Sequence, residues 1–537
     1  MQPSRRLRLR PLPLLALAIV LALSAGCASL PKLEGRTAST AMTDTGDTRL
    51  AQAMQAEVAA HPGLSGIYSL ASPLDAFVAR AVLARAADRA LDVQYYIWHA
   101  DTTGYLLLEE LWKAAGRGVR IRLLLDDNGT HGLDEAMATL DAHPNIEVRL
   151  FNPFVNRKLR MLGYVTDFSR LNRRMHNKSF TADNRATIVG GRNVGDEYFG
   201  AGEGMVFADL DVIAFGRVVA DVSDAFDRYW NSASAYPADL ILGKAAPDGV
   251  EKLEAKFAAV RAAPEAVEYL RGLERTRLAE QLRSDTLPLD WALTRLVYDD
   301  PAKAAGKAER SELLWSRMTE LVGAPQRELD IISPYFVPGK RGTETLSAMA
   351  QQGIALRILT NSLAATDVGA VHAGYAKRRA PLLRGGVKIY ELKPDAGVAP
   401  DAGVTQPTAD KPKPDKKGPG GSSGGSSAAS LHAKTFAVDR ERVFVGSFNF
   451  DPRSVNLNTE MGVVIDSPRL ADAVSTTLDR QLERQAYEVK LAPNGGGLEW
   501  VERTPQGEVR YTSEPNTGFF KRFGVGFMSI LPIEWML

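Results

Sequence analysis

The chain has 537 residues, 45% of them hydrophobic and 24% charged, with a formal net charge of +1. That length allows two or more domains, and that composition excludes a wholly disordered chain. Residues 1–26 hold four arginines and no acidic residue, so without them the balance falls from +1 to about −3, and nothing in it marks the body of the molecule as a nucleic-acid binder.

The chain opens on a leader. MQPSRRLRLR is basic, PLPLLALAIVLALSAG is apolar over the length of a signal peptide's hydrophobic region, and small residues precede a cysteine. The run is too short and wrongly flanked for a membrane span. Cys27 is the single cysteine, which excludes an intramolecular disulfide and makes its position informative. LSAGC resembles the lipobox of bacterial lipoproteins, with the departure that Leu23 lies four residues before Cys27 and Ser24 takes the usual leucine place. That resemblance implies cleavage after residue 26, acylation of Cys27 and anchoring in the bacterial envelope facing the periplasm, with Ala28 favouring the outer over the inner membrane. An uncleaved anchor, or a plain signal peptide with an incidental cysteine, is the alternative. Residues 27–60 read as a polar tether.

From about residue 65 the chain is written twice. ALDVQYYIW (90–98) matches ELDIISPYF (328–336), each an apolar run of strand length. LLLEELWKAAGRG and ETLSAMAQQG follow as helices ended by glycine. VRIRLLLDD then pairs with IALRILTNS, and IEVRLFNP with GVKIYELKP, again as strands. Each half closes on one pattern, MHNKSFTAD (175–183) and LHAKTFAVD (431–439). Strands alternating with helices predict parallel sheet built from βαβ units. Asp92 to His176 is 84 residues and Asp330 to His432 is 102, so the second half carries 18 more. The surplus falls at about 394–430, rich in Pro, Gly, Ser, Lys and Asp, which cannot bury enough apolar area to order itself. The fold is expected to resume at Leu431.

His176 and Lys178 are two residues apart, as are His432 and Lys434, so on a strand each pair shares a face. Asp183 and Asp439 supply turn chemistry before the return strands RATIVGG and VFVGS, which lead to Asn193 and Asn449. Gly190, Gly191 and Gly446 are expected to let a ligand approach the backbone. Each half thus delivers an imidazole, an ammonium and a carboxamide to one strand end. One such pattern is weak, but two in register, each followed by Gly and Asn, are not accidental. The remaining histidines, 61, 99, 131, 143 and 372, show no ligand spacing such as HExxH, and neither a metal nor another cofactor is expected.

HxKxxxxD followed after six residues by GGxN or GSxN resembles the duplicated signature of the phospholipase D superfamily, over about residues 65 to 490. GGRNVGDEYF, RLNRRMHNKSF, GSFNFDPRSVNLNTE and the ending LPIEWML are similar to bacterial cardiolipin synthases of the C type. The resemblance implies an α/β fold: two phospholipase D-like domains, each a mixed sheet flanked by helices, packed as a pseudo-symmetric pair with one shared active site. It implies phosphatidyl transfer between phospholipids through a phosphohistidine. One of His176 and His432 attacks phosphorus, and the other protonates the leaving alkoxide and then deprotonates the incoming alcohol. Lys178, Lys434, Asn193 and Asn449 would hold the non-bridging oxygens. Asp183 and Asp439 complete the two motifs and are expected to be structural. Glu460, 28 residues after His432, is expected to pair with that histidine. Alignment of EMGVVI with DLDVIA gives Asp209 the same role for His176. Ser447 has Gly191 as its counterpart, which leaves any hydroxyl contribution to the second half. By family habit His176 is the nucleophile and His432 the acid, although the near-symmetry leaves the assignment open. The implied partners are a membrane surface and phospholipids, phosphatidylglycerol first and phosphatidylethanolamine second. A hydrolase or nuclease with the same groups, and a non-catalytic lipid-binding envelope protein, are the alternatives. The leader and the slightly acidic body argue against a nucleic-acid partner.

The expected organisation is a leader (1–26), a tether (27–60), a first domain (61–235), a mainly helical connector (236–320), a second domain (321–490) and a tail (491–537). Residues 154–174 hold six Lys or Arg among apolar residues, which reads either as a surface for anionic head groups or as a solvated face packed on the domain. GFFKRFGVGFMSILPIEWML is too short and interrupted to span a membrane and reads as an interfacial segment or a docked tail. Tyr95, Tyr96 and Trp98 lie on the first strand and could reach substrate, although on a buried strand aromatics read first as core.

Overall fold

The computed structural model of the protein describes residues 29–537 apart from 158, 202–204, 285, 395, 397–428, 494–495 and 532–533. Cys27, the leader and most of the insert lie outside the described residues.

In the first half β2 (Ala90–Ile97), β3 (Arg120–Gly129) and β4 (Ile146–Phe151) are parallel, and β5 (Ser179–Ala182), β6 (Ala186–Gly190) and β8 (Asp211–Gly216) continue the sheet antiparallel from β2. The second half repeats this with β11 (Glu328–Ile332), β12 (Ala355–Asn361) and β13 (Lys388–Leu392) parallel, then β15 (Thr435–Val438), β16 (Arg442–Gly446) and β17 (Met461–Asp466). The internal repeat therefore holds strand for strand. It also holds at one buried ion pair. Asp92 lies opposite Arg122 and Asp330 opposite Arg357, and each guanidinium grips its carboxylate through two nitrogens, at 2.6 and 2.8 Å in the first half and 2.7 Å twice in the second. Each arginine also has a second carboxylate, Asp227 for Arg122 and Asp479 for Arg357, so the pair is part of a small charge network.

The two halves form one sheet. β1 (Ser65–Leu70) pairs with β8, and β10 (Asp290–Tyr298) pairs first with β1 and then with β17, giving an 18-stranded whole. A hydrophobic cluster drawn from both halves, including Ile67, Val189, Val212, Val445, Val463 and Ile465, fills the space behind this joint. The stretch expected to be a mainly helical connector thus contributes the joining strand. WALTRLVY escapes a helical reading only through its partners, because its burial alternates irregularly.

Three other expectations change. Residues 36–41 are not a free tether, because Arg36 donates to the carbonyls of Asn231, Ser232 and Ala235, while Arg122 and Arg149 donate to Ser39 and Thr37. Arg49–Ala60 is a helix capped by Thr48. The fold resumes after the insert at β14 (Ala429–Leu431), and the Ala429 N–H donates to Pro394 O at 2.8 Å, so the two flanks of the insert lie side by side. β18 (Ala486–Leu491) ends the second domain beside β13, and the tail adds β19 (Leu498–Thr504) and β20 (Gly507–Tyr511) beyond it, then a helix at Phe519–Ile530.

Candidate active site

His176 and His432 do not sit within strands. Each occupies an extended link before β5 or β15, at the carboxyl end of the parallel strands where α/β sheets take ligands. Each link is held by the other half. The His176 N–H donates to Thr459 O at 2.8 Å and the Thr459 N–H to Arg174 O at 2.9 Å. Across the site β14 runs parallel to β7 (Val206–Ala208), and the N–H groups of His432 and Ala433 donate to Ala208 O at 2.8 and 2.9 Å. The shared strand face expected for His and Lys gives way to a tighter arrangement, in which Lys178 Nζ donates to His176 O at 2.6 Å and Lys434 Nζ to His432 O.

The carboxylate partners are crossed. His176 Nδ1 meets Glu460 Oε2 at 2.8 Å, and His432 Nδ1 meets Asp209 Oδ2 at 2.5 Å. The expected pairing of Glu460 with His432 and of Asp209 with His176 is wrong, and the backbone gives the reason. Thr459 lies against the His176 link, so the next residue reaches His176. Ala208 lies against the His432 link, so Asp209 reaches His432. With Nδ1 occupied in both rings, Nε2 is the nitrogen left to react.

Ser447 Oγ and Ser454 Oγ donate to the two oxygens of Glu460 at 2.5 and 2.9 Å, so the hydroxyl expected in the second half serves the carboxylate. Its counterpart must be glycine: a Cβ at Gly191 would lie 2.3 Å from Asp209 Oδ1. The close approach at this glycine is made by protein and not by ligand, and the same holds at Gly190, against Asp211, and at Gly446, against β17. Asp183 accepts from the N–H groups of Asp88, Arg89 and Ala90 (2.9, 2.7 and 2.8 Å), and Asp439 from those of Gln326, Arg327 and Glu328 (2.9, 2.7 and 2.9 Å). Both lie at the start of β2 or β11, the end away from the histidines. Each also opens a turn with two left-handed residues, at φ 52° and 52° for Asp183 and Asn184 and 54° and 55° for Asp439 and Arg440.

Asn193 is engaged at both ends, accepting from Ile97 N–H at 3.2 Å and donating to Tyr198 Oη at 2.9 Å. Asn449 Oδ1, by contrast, is buried without a partner among the described residues, as are Ser179 Oγ and Thr435 Oγ1, each three residues after a histidine. Buried polar atoms left open in a site are where a polar ligand is received.

Burial governs the charges. It holds His176 well below the ordinary imidazole value, helped by Lys178, Lys434 and His432, and it lowers His432, helped by Lys434 and opposed by Asp209. Each histidine takes its carboxylate from the opposite half, and Lys434 Nζ lies 3.0 Å from His432 Nδ1, so the two motifs meet at one joint. Burial draws Lys178 far down and Lys434 to about 8, against the pull of the carboxylates. It pushes Glu460 up to about 7, with Lys178 and Ser447 opposing. Burial acts on Asp209 in the same sense, but His432 and Lys434 outweigh it and hold that carboxyl well below its usual range. His432 therefore faces a firmly ionised carboxylate, and His176 one that titrates near neutrality. The negative charge of a bound phosphodiester would oppose the effect of burial and favour the charged form of both ammonium groups.

The aromatic residues of the first strand divide between site and core. Tyr96 sets its ring edge-on to His176 at 5.0 Å, whereas Tyr95 and Trp98 are core as expected. Tyr198 and Phe207 flank His432, each at 5.1 Å. Tyr198 and Ser454 both stand five residues after the motif asparagine, a symmetry that would have found them. Asp299 accepts from the Glu460 N–H and from Lys303 Nζ, at 2.9 and 2.8 Å. The basic stretch 154–174 is largely spent on the protein itself: Arg157 pairs with Asp127 and Asp134, Arg170 with Asp167, and Arg174 with Asp126. One of the remaining histidines does join carboxylates: His99, Asp101 and Glu197 bring ligand-type atoms within 4.8 Å of one another. Asp101, however, already accepts from the Gly104 and Asp196 N–H groups, at 2.9 and 2.8 Å.

A family described as cardiolipin synthase, phospholipase D-like domain, matches residues 80–230 and 318–482, so each half carries one copy. The chain is also 49% identical to cardiolipin synthase C of Escherichia coli over 492 residues, 91% of this chain and all of that one. It belongs to the phospholipase D-like cardiolipin synthase family. Within that family it is 25% identical to cardiolipin synthase A of Pseudomonas syringae over 75% of this chain and 65% of that one. A phosphatidylserine synthase structure from Haemophilus influenzae shares the fold, with a TM-score of 0.54 at 14% identity over 90% of this chain and all of that one. Membership makes the protein an enzyme of the phospholipase D type, a phosphatidyltransferase acting on phospholipids.

Proposed function

We propose that the protein makes cardiolipin by moving a phosphatidyl group from one phospholipid to the glycerol hydroxyl of phosphatidylglycerol. The observation that carries this reading is the pair of imidazoles, each fixed at Nδ1 by a carboxylate from the opposite half, with Lys178 and Lys434 beside them. His176, kept neutral by burial and the two lysines, attacks phosphorus through Nε2. The bond to the leaving head-group oxygen breaks, and His432, whose imidazolium is supported by ionised Asp209, gives that oxygen a proton. The second phospholipid's hydroxyl then passes its proton to His432, attacks the phosphohistidine and frees His176. Lys178 and Lys434, with the Asn449 side-chain amide N–H, hold the non-bridging oxygens through both steps, while Asn193 is occupied in fixing the end of β2 and Tyr198. Asp183 and Asp439 keep the strands in place and do no chemistry.

Phosphatidylethanolamine is the proposed alternative donor. The protein is placed at the bacterial envelope by a lipid on Cys27, and loss of labelled-palmitate incorporation in Cys27→Ala checks that anchor. The activity is tested by incubating the purified protein with labelled phosphatidylglycerol, with and without phosphatidylethanolamine, and resolving the lipids. Cardiolipin is the expected product. Phosphatidic acid alone would make the protein a hydrolase, and no turnover would end the lipid reading.

A further inference from the structure

The Phe519–Ile530 helix turns its most apolar arc outward. At 3.6 residues per turn, Phe519, Phe520, Phe523, Phe527 and Ile530 fall within about 100° of one another. They are 66, 86, 64, 60 and 81% exposed. The opposite arc docks the helix, through Val525 and Met528, on Leu363 and Ala373. Residues 518–531 carry two charges, Lys521 and Arg522, both basic. A tail that merely covered the core would bury its phenylalanines and show its charges.

The helix is also placed next to the site. It packs on the Gly369–Ala376 helix, and the loop leading into that helix from β12 holds Asp367, which accepts from Tyr335 Oη at 2.7 Å and acts electrostatically on Lys434. The chain ends where the Arg453 N–H donates to Leu537 O at 2.8 Å. The Arg453 guanidinium in turn holds Asn172 of the first half through its side-chain and main-chain oxygens, both at 2.8 Å. Just before Asn172, Leu159, Val165 and Phe168 are 54, 81 and 42% exposed. Tyr164, among them, donates to Asn128 at 3.1 Å, and Asn128 donates to Tyr96 Oη at 3.3 Å, which leads to the ring against His176.

We propose that these two apolar surfaces, one from each half, form a rim that rests on a phospholipid bilayer, with the Phe519–Ile530 helix lying in the interface and the histidines facing the head groups. The occupant is a bilayer rather than a second copy for three reasons. The helix charges are basic only and complement an anionic lipid surface. The helix packs next to the loop that holds Asp367 on the side of Lys434, and the histidines, each 7% exposed, are what a lipid held in a membrane must reach. The helix shows its apolar arc outward and docks by the opposite arc, the arrangement of a helix lying along a membrane surface. The inference rests on phospholipid being the substrate.

The test uses the full chain with Phe520→Trp, Phe527→Trp or, as control, Val509→Trp on β20, which is 41% exposed before substitution. Each is mixed with phosphatidylcholine vesicles containing phosphatidylglycerol, with bromine on the acyl chains. Extra quenching of about twofold or more at 520 and 527 but not at 509 is expected for residues seated in the interface, and equal quenching at all three overturns the proposal. In a second arm, Phe520→Asp with Phe523→Asp is expected to lower turnover of vesicle phosphatidylglycerol by about tenfold or more and to leave turnover of a short-chain, water-soluble phosphatidylglycerol within about twofold. Unchanged vesicle turnover, or equal loss on both lipids, overturns it. So does a lipid-free dimer of the parent that these substitutions dissociate. Quenching without any turnover would keep the rim and discard the proposed activity, and turnover without quenching would do the reverse.

Discussion

At the scale of single residues, the two halves differ most in what holds the imidazoles. Glu460 is longer, hydrogen-bonded by two serines and pushed up to about 7, while Asp209 is short, fills the space left by Gly191 and stays ionised. Glu460→Gln is expected to change the nitrogen NMR shifts and tautomer of His176 and to leave those of His432, and Asp209→Asn the reverse; shifts in the uncrossed sense would refute the pairing. The same groups set a pH profile. Lys178 and Lys434 must be charged to hold an oxyanion and His432 to give up a proton, and burial lowers all three, Lys434 to about 8 in the free enzyme, so kcat/KM is expected to fall as pH rises. Glu460 must be ionised to keep the proton on His176 Nδ1, so kcat/KM is expected to fall as pH drops through about 7. The expected profile is a narrow bell, and a plateau from about pH 6 to about pH 9 would contradict it. Lys434→Arg, charged at all these values, should leave an alkaline limb set by Lys178 and His432.

At the scale of elements, the apolar runs and glycine stops located β2, β3, β4 and their repeats, because buried parallel strands are apolar almost throughout. Elements that depend on distant partners were not legible. β10 gains strand character from β1 and β17, and β7 and β14 are three-residue pieces that exist only through each other. The insert between the second-half strands was recognisable from composition, and its flanks meet at the bond between Ala429 and Pro394. Removing residues 399–426 therefore leaves a short turn between flanks already side by side. Turnover within about threefold of the parent is expected, since a shorter loop costs less closure entropy. A loss of activity measured in the lipid assay would give the insert a role in catalysis.

At the scale of the molecule, one sheet of 18 strands and a core shared by both halves leave no boundary along which the halves can separate cheaply. Each active-site link is also fastened to backbone of the other half. A single unfolding transition is expected, with near-ultraviolet and far-ultraviolet circular dichroism coincident in urea; two resolved steps would show that the halves are independent. Because each histidine takes its carboxylate from the opposite half, opening the joint would disarm both at once.

The amino-acid order by itself determined the repeat, the α/β class, the two His-Lys-Asp segments and the family they announce, since each rests on local periodicity or on spacing within one half. It set Glu460 and Asp209 apart as histidine partners but not which histidine each serves. That choice is made by the strands that run beside Thr459 and Ala208, and separation along the chain carries no information about them. The outward phenylalanines of the last helix were likewise visible as a composition, while the direction they face was decided by Val525 and Met528 finding Leu363 and Ala373 to pack against.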